Sequence, residues 1–272
     1  MMTYQILRGK RFWLLLVLPV VILWGSYQLY QSKSFGFSPA RICSNFSYNP
    51  DWAIEEPQNN SQLKSILNQK FKYLAVGSQS YAFVSEDEKY VVKFFIMKHQ
   101  IPRLSDLWNP EQVEVRKQNL LSIFNAHKLA YDELKTDTGL IYIHLNKSHD
   151  LQTRLQIVDR VGRTFFIDLD QTEFVIQEKA ELIFTRLKKL LNQGDKEKMQ
   201  QCIQSTLALV KRRIAKRITD HDKAVKHNYG FVGDRPIQLD IGRIEKTTPN
   251  PNHYKRITQR IDKWLKENDS SS

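Results

Sequence analysis

The chain has 272 residues, 41% of them hydrophobic, which is enough to bury one sizeable core or a two-lobed domain. Its formal net charge of +12 points to anionic partners such as membrane headgroups or phosphates, or to a solvated Lys-rich surface; no zinc-finger spacing or other nucleic-acid-binding signature accompanies it, so nucleic acid is not an expected partner. The two cysteines, Cys43 and Cys202, form no C-x-x-C, which excludes a dithiol redox or zinc motif and leaves a disulfide between them open.

Residues 1–11 are a short basic N-terminus with Arg8, Lys10 and Arg11. Phe12 to Leu23 is nearly unbroken apolar sequence, and Trp24 to Tyr30 extends it to about the 20 residues that a membrane helix needs. Trp13, Trp24, Tyr27 and Tyr30 suit interfacial belts, and Pro19 is tolerated in such helices. The expectation is an uncleaved single-pass anchor over 12–30, with a signal peptide as the runner-up. The slight excess of positive charge before the span places the bulk of the chain on the non-cytoplasmic side. Residues 31–62, rich in Ser, Pro, Asn and Gln, read as a linker.

The globular part opens with a short helix from Ser61, then three strands joined by tight turns: 71–76, 81–85 and 90–96. On the third strand Lys93 shares a face with Val91 and Phe95, so it either snorkels to water or meets an acidic partner. Asn109-Pro110-Glu111 starts a long helix over 110–135. Further strands follow at 140–145, 155–159, 164–168 and 174–177. Helices follow at 181–190 and 196–218, the latter with Met199, Ile203, Leu207 and Val210 on its buried stripe. The basic end of that helix, Lys211-Arg212-Arg213 with Lys216-Arg217, reads as a solvated C-terminus. A loop from Asp220 then leads through a hairpin turning at Gly233 to Asp240-Ile241-Gly242, and a last helix covers 253–267. Residues 268–272 are a tail.

This order of motifs resembles the protein-kinase-like fold. Gly77-Ser78-Gln79-Ser80-Tyr81-Ala82-Phe83-Val84 keeps the first Gly and the Val of the glycine-rich loop, with Gln79 and Ala82 in place of the other two glycines. Tyr90-Val91-Val92-Lys93 stands for V-A-I-K. The resemblance implies that Lys93 and Gly77 hold nucleotide phosphates and that a Glu of the long helix pairs with Lys93. Glu114 lies at nearly the usual interval, and Glu111 and Glu133 are further candidates. Gln177 to Ala180 falls where the family has its interlobe hinge. Asp222 takes the place of the catalytic base, and Asp240-Ile241-Gly242 stands for D-F-G. Asp240 is then a metal ligand together with His227 or Asn228, two registers that stay open. Leu239-Asp240-Ile241-Gly242-Arg243, with His227 in the asparagine place, is also similar to the lipopolysaccharide-core sugar kinases.

The expected fold is therefore α+β: a two-lobed kinase-like domain behind an N-terminal transmembrane helix. Its strand-rich N-lobe covers 63–177, and its small helical C-lobe, with the Asp-loop, covers 178–267. The lost glycines, His221 in place of the H-R-D arginine and the expected location favour a pseudokinase or binding module, with an anionic small molecule or a protein as partner. The alternatives are an active phosphotransferase, using Mg²⁺ and ATP on a small-molecule or sugar hydroxyl, and an unrelated α+β membrane-tethered protein.

Overall fold

A computed structural model describes residues 2–54, 61–222, 224–248 and 252–269; the side chains of residues 2–17, 252 and 269 are not among those described. Helix α1 (Met2–Ser34) runs through Pro19 and ends where Phe35 and Gly36 both take left-handed φ, at 50° and 67°. No helix among the described residues is long and apolar enough to cross a membrane. The first part of the expected span, 12–17, and the tail from residue 270 lie outside the described side chains. From Leu18 to Leu29 the helix exposes Val20, Val21, Ile22, Leu23 and Trp24.

The segment read as a linker is packed instead. Phe37 and Ile42 are completely buried in the sheet core and Trp52 lies against Phe124, since aromatic and branched side chains gain more from that burial than the backbone loses in freedom. Residues 55–60 of that linker are outside the described set. Cys43 donates to the Gln171 carbonyl at 2.9 Å and Cys202 is buried elsewhere, so both thiols are free and the disulfide left open by the sequence is not formed.

After α2 (Ser61–Leu67) come β1 (Phe71–Val76), β2 (Ser80–Ser85) and β3 (Tyr90–Phe95), an antiparallel meander. Helix α3 (Glu111–Thr138) follows, beginning one residue after the expected proline. It stops at Gly139, whose φ of 63° suits glycine and where a Cβ would stand only 2.9 Å from Ile237. Strands β4 (Leu140–His144), β5 (Arg154–Val158), β6 (Thr164–Asp168) and β7 (Phe174–Glu178) complete a seven-stranded sheet in the order β4-β7-β3-β2-β1-β5-β6. The β5–β6 hairpin joins the β1 edge, with β5 parallel to β1. Its turn grips the end of α1: the Arg160 guanidinium lies 4.2 Å over the Phe35 ring and that of Arg163 4.7 Å over Tyr30.

Period-2 alternation gives the sheet two apolar faces. Phe83, Val92, Phe94, Ile157 and Phe174 face Phe37 and α2. Phe95, Ile143 and Val175 face Phe124, Ala130 and Leu134 of α3. The rest of the chain forms a helical half: β8 (Glu181–Leu182), α4 (Ile183–Asn192), α5 (Lys196–Ala215), β9 (Ile218–Asp220), β10 (Tyr229–Val232), β11 (Arg235–Gln238), β12 (Ile244–Lys246) and α6 (Asn252–Asp269). Its core joins Leu187, Leu209, Val210, Phe231, Ile257 and Ile261. The overall class is α+β, as expected.

Candidate functional site

Lys93 pairs across the sheet with Ala82 and Val175, and the strand alternation turns it toward α3, away from Val92 and Phe94. Its Nζ donates to the Leu239 carbonyl at 2.8 Å, one residue before Asp240. Loss of water pushes its pKa down to about 8, opposed by the charge of Asp240. The strand Lys and the Asp of the D-I-G motif therefore act on each other across the junction of the sheet and the helical half.

The helix does not bring a glutamate to Lys93. Glu114 is exposed and accepts from Gln118 at 2.6 Å, Glu111 is exposed, and Glu133 holds Lys246. The α3 side chain whose titration feels Lys93 is His127, buried edge-on to Phe95 and donating through Nδ1 to the Ile123 carbonyl at 2.7 Å. Burial holds its pKa down to about 4, with the Lys93 charge acting in the same direction. His127 carried a signal in the sequence: it follows Leu120 and Phe124 at helical spacing, on the buried stripe.

The loop after β9 separates the two registers for the metal ligand. His227 is exposed, whereas Asn228 is buried, its backbone carbonyl accepting from Leu239 N–H at 2.8 Å and its Nδ2 meeting no partner among the described residues. Asp222 accepts from the Ala224 N–H at 2.7 Å and its own N–H donates to Asp220 at 2.8 Å. Asp240 is exposed and accepts weakly from the Gly242 N–H at 3.3 Å. Asp222 and Asp240 are both close enough to raise the pKa of Asp220, though burial is the larger cause of its rise to about 6.

Gly77 donates to the Ser80 carbonyl at 2.9 Å, closing the β1–β2 turn. The tip of that turn is folded inward. The Gln79 carboxamide covers Gly242, so that a Cβ added to Gly242 would overlap it. At the hinge, the Glu178 and Lys179 N–H groups donate to the Gly139 and Lys89 carbonyls, both at 2.8 Å. These residues do not fit Mg²⁺-ATP as they stand: Gln79 fills the approach to the D-I-G glycine, Lys93 is engaged by a carbonyl, and two hinge donors are used within the chain.

The sequence reading put Arg213 on a solvated helix end, and the structure corrects this. It is 1% exposed, because it follows Thr206, Leu209 and Val210 on the inward face of α5. Its guanidinium meets the Asp220 carboxylate at 3.5 Å, the Tyr229 hydroxyl at 3.2 Å, His253 Nε2 at 2.7 Å and the Gln238 side-chain oxygen. Gln238 in turn donates to Asp220 at 2.9 Å. A cavity of about 780 Å³ lies elsewhere, between segment 48–54 and the β4–β5 connection.

No protein-family profile and no curated protein matches the chain. Among solved structures it is similar to WbdD at 18% identity and a TM-score of 0.38, over 70% of this chain and 35% of that one. A second WbdD structure, with the kinase inhibitor LY294002, gives 17% identity and a TM-score of 0.37, over 72% of this chain and 37% of that one. The complex of Rv3197 with erythromycin from Mycobacterium tuberculosis gives 16% identity and a TM-score of 0.33, over 78% of this chain and 60% of that one. The chain thus spans about a third of WbdD's length. On its own residues, what the site resembles is the protein-kinase-like class: a glycine turn, a strand Lys, a long helix, an Asp-loop and D-I-G, in that order.

Proposed function

We propose that the chain is a membrane-anchored, kinase-like protein that works as a pseudokinase or binding module rather than by phosphoryl transfer. The observation that carries the reading is the Gln79 carboxamide lying on Gly242, the glycine of the D-I-G motif. The missing helix glutamate supports it, because the kinase Lys depends on that partner for its place. On this reading the fold has two kinase-like lobes, and no cofactor is needed. Residues 12–30 anchor the protein, the domain lies on the non-cytoplasmic side, and its partners are the membrane and an anionic small molecule or a protein.

The test is thermal melting of the full chain in detergent with and without Mg²⁺-ATP. A ligand held only by the folded state raises the melting temperature. No rise that depends on Lys93 is expected, and a rise of several degrees at millimolar nucleotide that Lys93→Met removes overturns the reading. Carbonate washing of membranes tests the anchor, which is wrong if the protein is recovered soluble with a mature N-terminus near Ser32.

One arrangement favours the alternative, an active Mg²⁺-ATP phosphotransferase acting on a small-molecule or sugar hydroxyl: Asp222 and Asp240 both bear on Asp220, and Asn228 is buried beside Leu239. In that case Asp240→Ala abolishes transfer of labelled phosphate, while Asp222→Ala slows it and keeps nucleotide binding.

A further inference from the structure

Beside the site lies a cavity of about 420 Å³ whose charge the kinase-like reading does not use. Gln79 closes one side of it, Asn119 and Ser122 of α3 form another, and Lys98, Arg243 and Glu245 complete the part that matters here. A second hollow of about 230 Å³ shares Gln79, Lys98 and Asn119 and adds Arg103 and Arg116. Lys98 stands in the wall common to both.

The charges around Lys98 do not balance. Partial burial pushes its pKa down, and the charges that bear on it, Arg103 and Arg243, are both positive and act in the same direction. The nearby carboxylates are already engaged. Asp106 pairs with Arg116 at 2.7 Å, and Glu245 meets His221 at 2.6 Å. Arg116 is further fixed by its Nε donating to the Lys98 carbonyl at 3.1 Å. What remains is three cations, Lys98, Arg103 and Arg243, against the Glu245 carboxylate and a share of Asp106, with two carboxamides and a hydroxyl beside them. Guanidinium forks and an ammonium beside neutral donors match the oxygens of a phosphate, and a volume of 420 Å³ is that of a small-ligand pocket.

We infer that this cavity binds a small phosphate-bearing anion, a phosphomonoester or pyrophosphate group, held by Lys98 and Arg243, with Arg103 reached through the adjoining hollow across the Lys98 wall. The inference rests on the binding-module reading and supplies its ligand class. The bound anion supplies the counter-charge that Lys98 lacks. It also holds the β1–β2 turn, the start of α3 and the segment after Asp240 together, so binding and the inward position of Gln79 reinforce each other.

The experiment uses the full chain in detergent, with inorganic pyrophosphate as the probe and sodium chloride at equal ionic strength as the control. Melting temperature and calorimetric binding are both read. Pyrophosphate is expected to raise the melting temperature where chloride does not. Lys98→Met and Arg243→Ser should each weaken binding by about tenfold or more, the loss of one charge-assisted contact. Lys98→Met should also melt no lower than the parent without ligand, since it removes a charge with positive neighbours, which separates lost binding from lost folding. Lys93→Met should bind pyrophosphate as the parent does. No pyrophosphate effect on the parent overturns the proposal. So does binding that is lost in Lys93→Met but kept in Lys98→Met, because the anion then sits in the cleft. Mg²⁺-ATP stabilising the parent and Lys98→Met alike would sink the binding-module reading while leaving a Lys98-dependent pyrophosphate site standing.

Discussion

Lys93 on β3 and Arg213 on α5 are both cations withdrawn from water, and they are satisfied in opposite ways. Arg213 is the hub of a network of Asp220, Gln238, Tyr229 and His253, its Nε alone meeting no partner among the described residues. Lys93 has one carbonyl at 2.8 Å and feels an Asp240 that is itself exposed. A cation with several buried partners fixes its surroundings, because any displacement leaves those groups unpaired. A cation with one neutral partner has unused donors and an ammonium that burial already disfavours. The first arrangement holds the Asp-loop to α5 and α6; the second leaves an interaction open for change.

Arg213→Met should break the comparison most severely. It leaves the Asp220 carboxylate buried and unpaired, at a cost of about 3–5 kcal/mol, read as a lower urea midpoint at unchanged slope. Lys93→Met should cost less than about 1 kcal/mol, because it removes a desolvated ammonium and leaves Asp240 in water rather than buried. Equal losses in the two variants would refute the distinction.

Acidification sharpens the comparison further. His127 and His253 are both held to about 4 by burial, with positive neighbours, Lys93 for the first and Arg213 and Arg256 for the second, acting in the same direction. Such groups contribute stability that is fully present above their unfolded pKa near 6.5 and is lost as pH falls toward 4. Asp220 runs the other way: with its pKa raised to about 6, its ionised form costs stability above that pH, and the cost is relieved toward 3.8. Between pH 6 and 4 one aspartate offsets one histidine, leaving a net loss on acidification with the slope of about one proton. His127→Gln should flatten the dependence of urea midpoint on pH, and Asp220→Asn should steepen it. The smallest effect expected is at Gln79. Gln79→Gly uncovers Gly242 with little change in melting temperature, and the readout is whether Mg²⁺-ATP then stabilises the variant where it does not stabilise the parent.

Much of the strand-rich half was legible because runs of β-branched and aromatic residues are bounded there by turn residues. Lys93 lies on the face that Val91 and Phe95 indicated, and tight turns fixed the meander. The partner on α3 was not legible, since counting from Lys93 to Glu114 ignores residues 96–110, which loop before the helix begins. His127 is thirteen residues further along, about 20 Å of helix. Arg213 was missed because a run of basic residues at a helix end resembles a solvated terminus; only the face it shares with Thr206 and Val210 marks it as inward. The choice between His227 and Asn228 depends on one residue of loop geometry, which spacing alone does not define. Segment 37–52 looked like a tether by composition, yet three widely spaced apolar side chains, Phe37, Ile42 and Trp52, dock it.

That docking has a mechanical consequence. At 1.5 Å per residue, the 33 residues of α1 form a rod about 50 Å long. Arg160 and Arg163 of the β5–β6 turn hold Phe35 and Tyr30 at its end, Phe35 meets Tyr73 of β1, and Phe37 is sunk in the sheet just beyond, so the rod is welded to the sheet rather than strung from it. A tilt of about 10° at the weld sweeps the far end through roughly 9 Å on the same helical rise. Conversely, a torque on the rod is delivered to the strand that carries the turn with Gln79 at its tip.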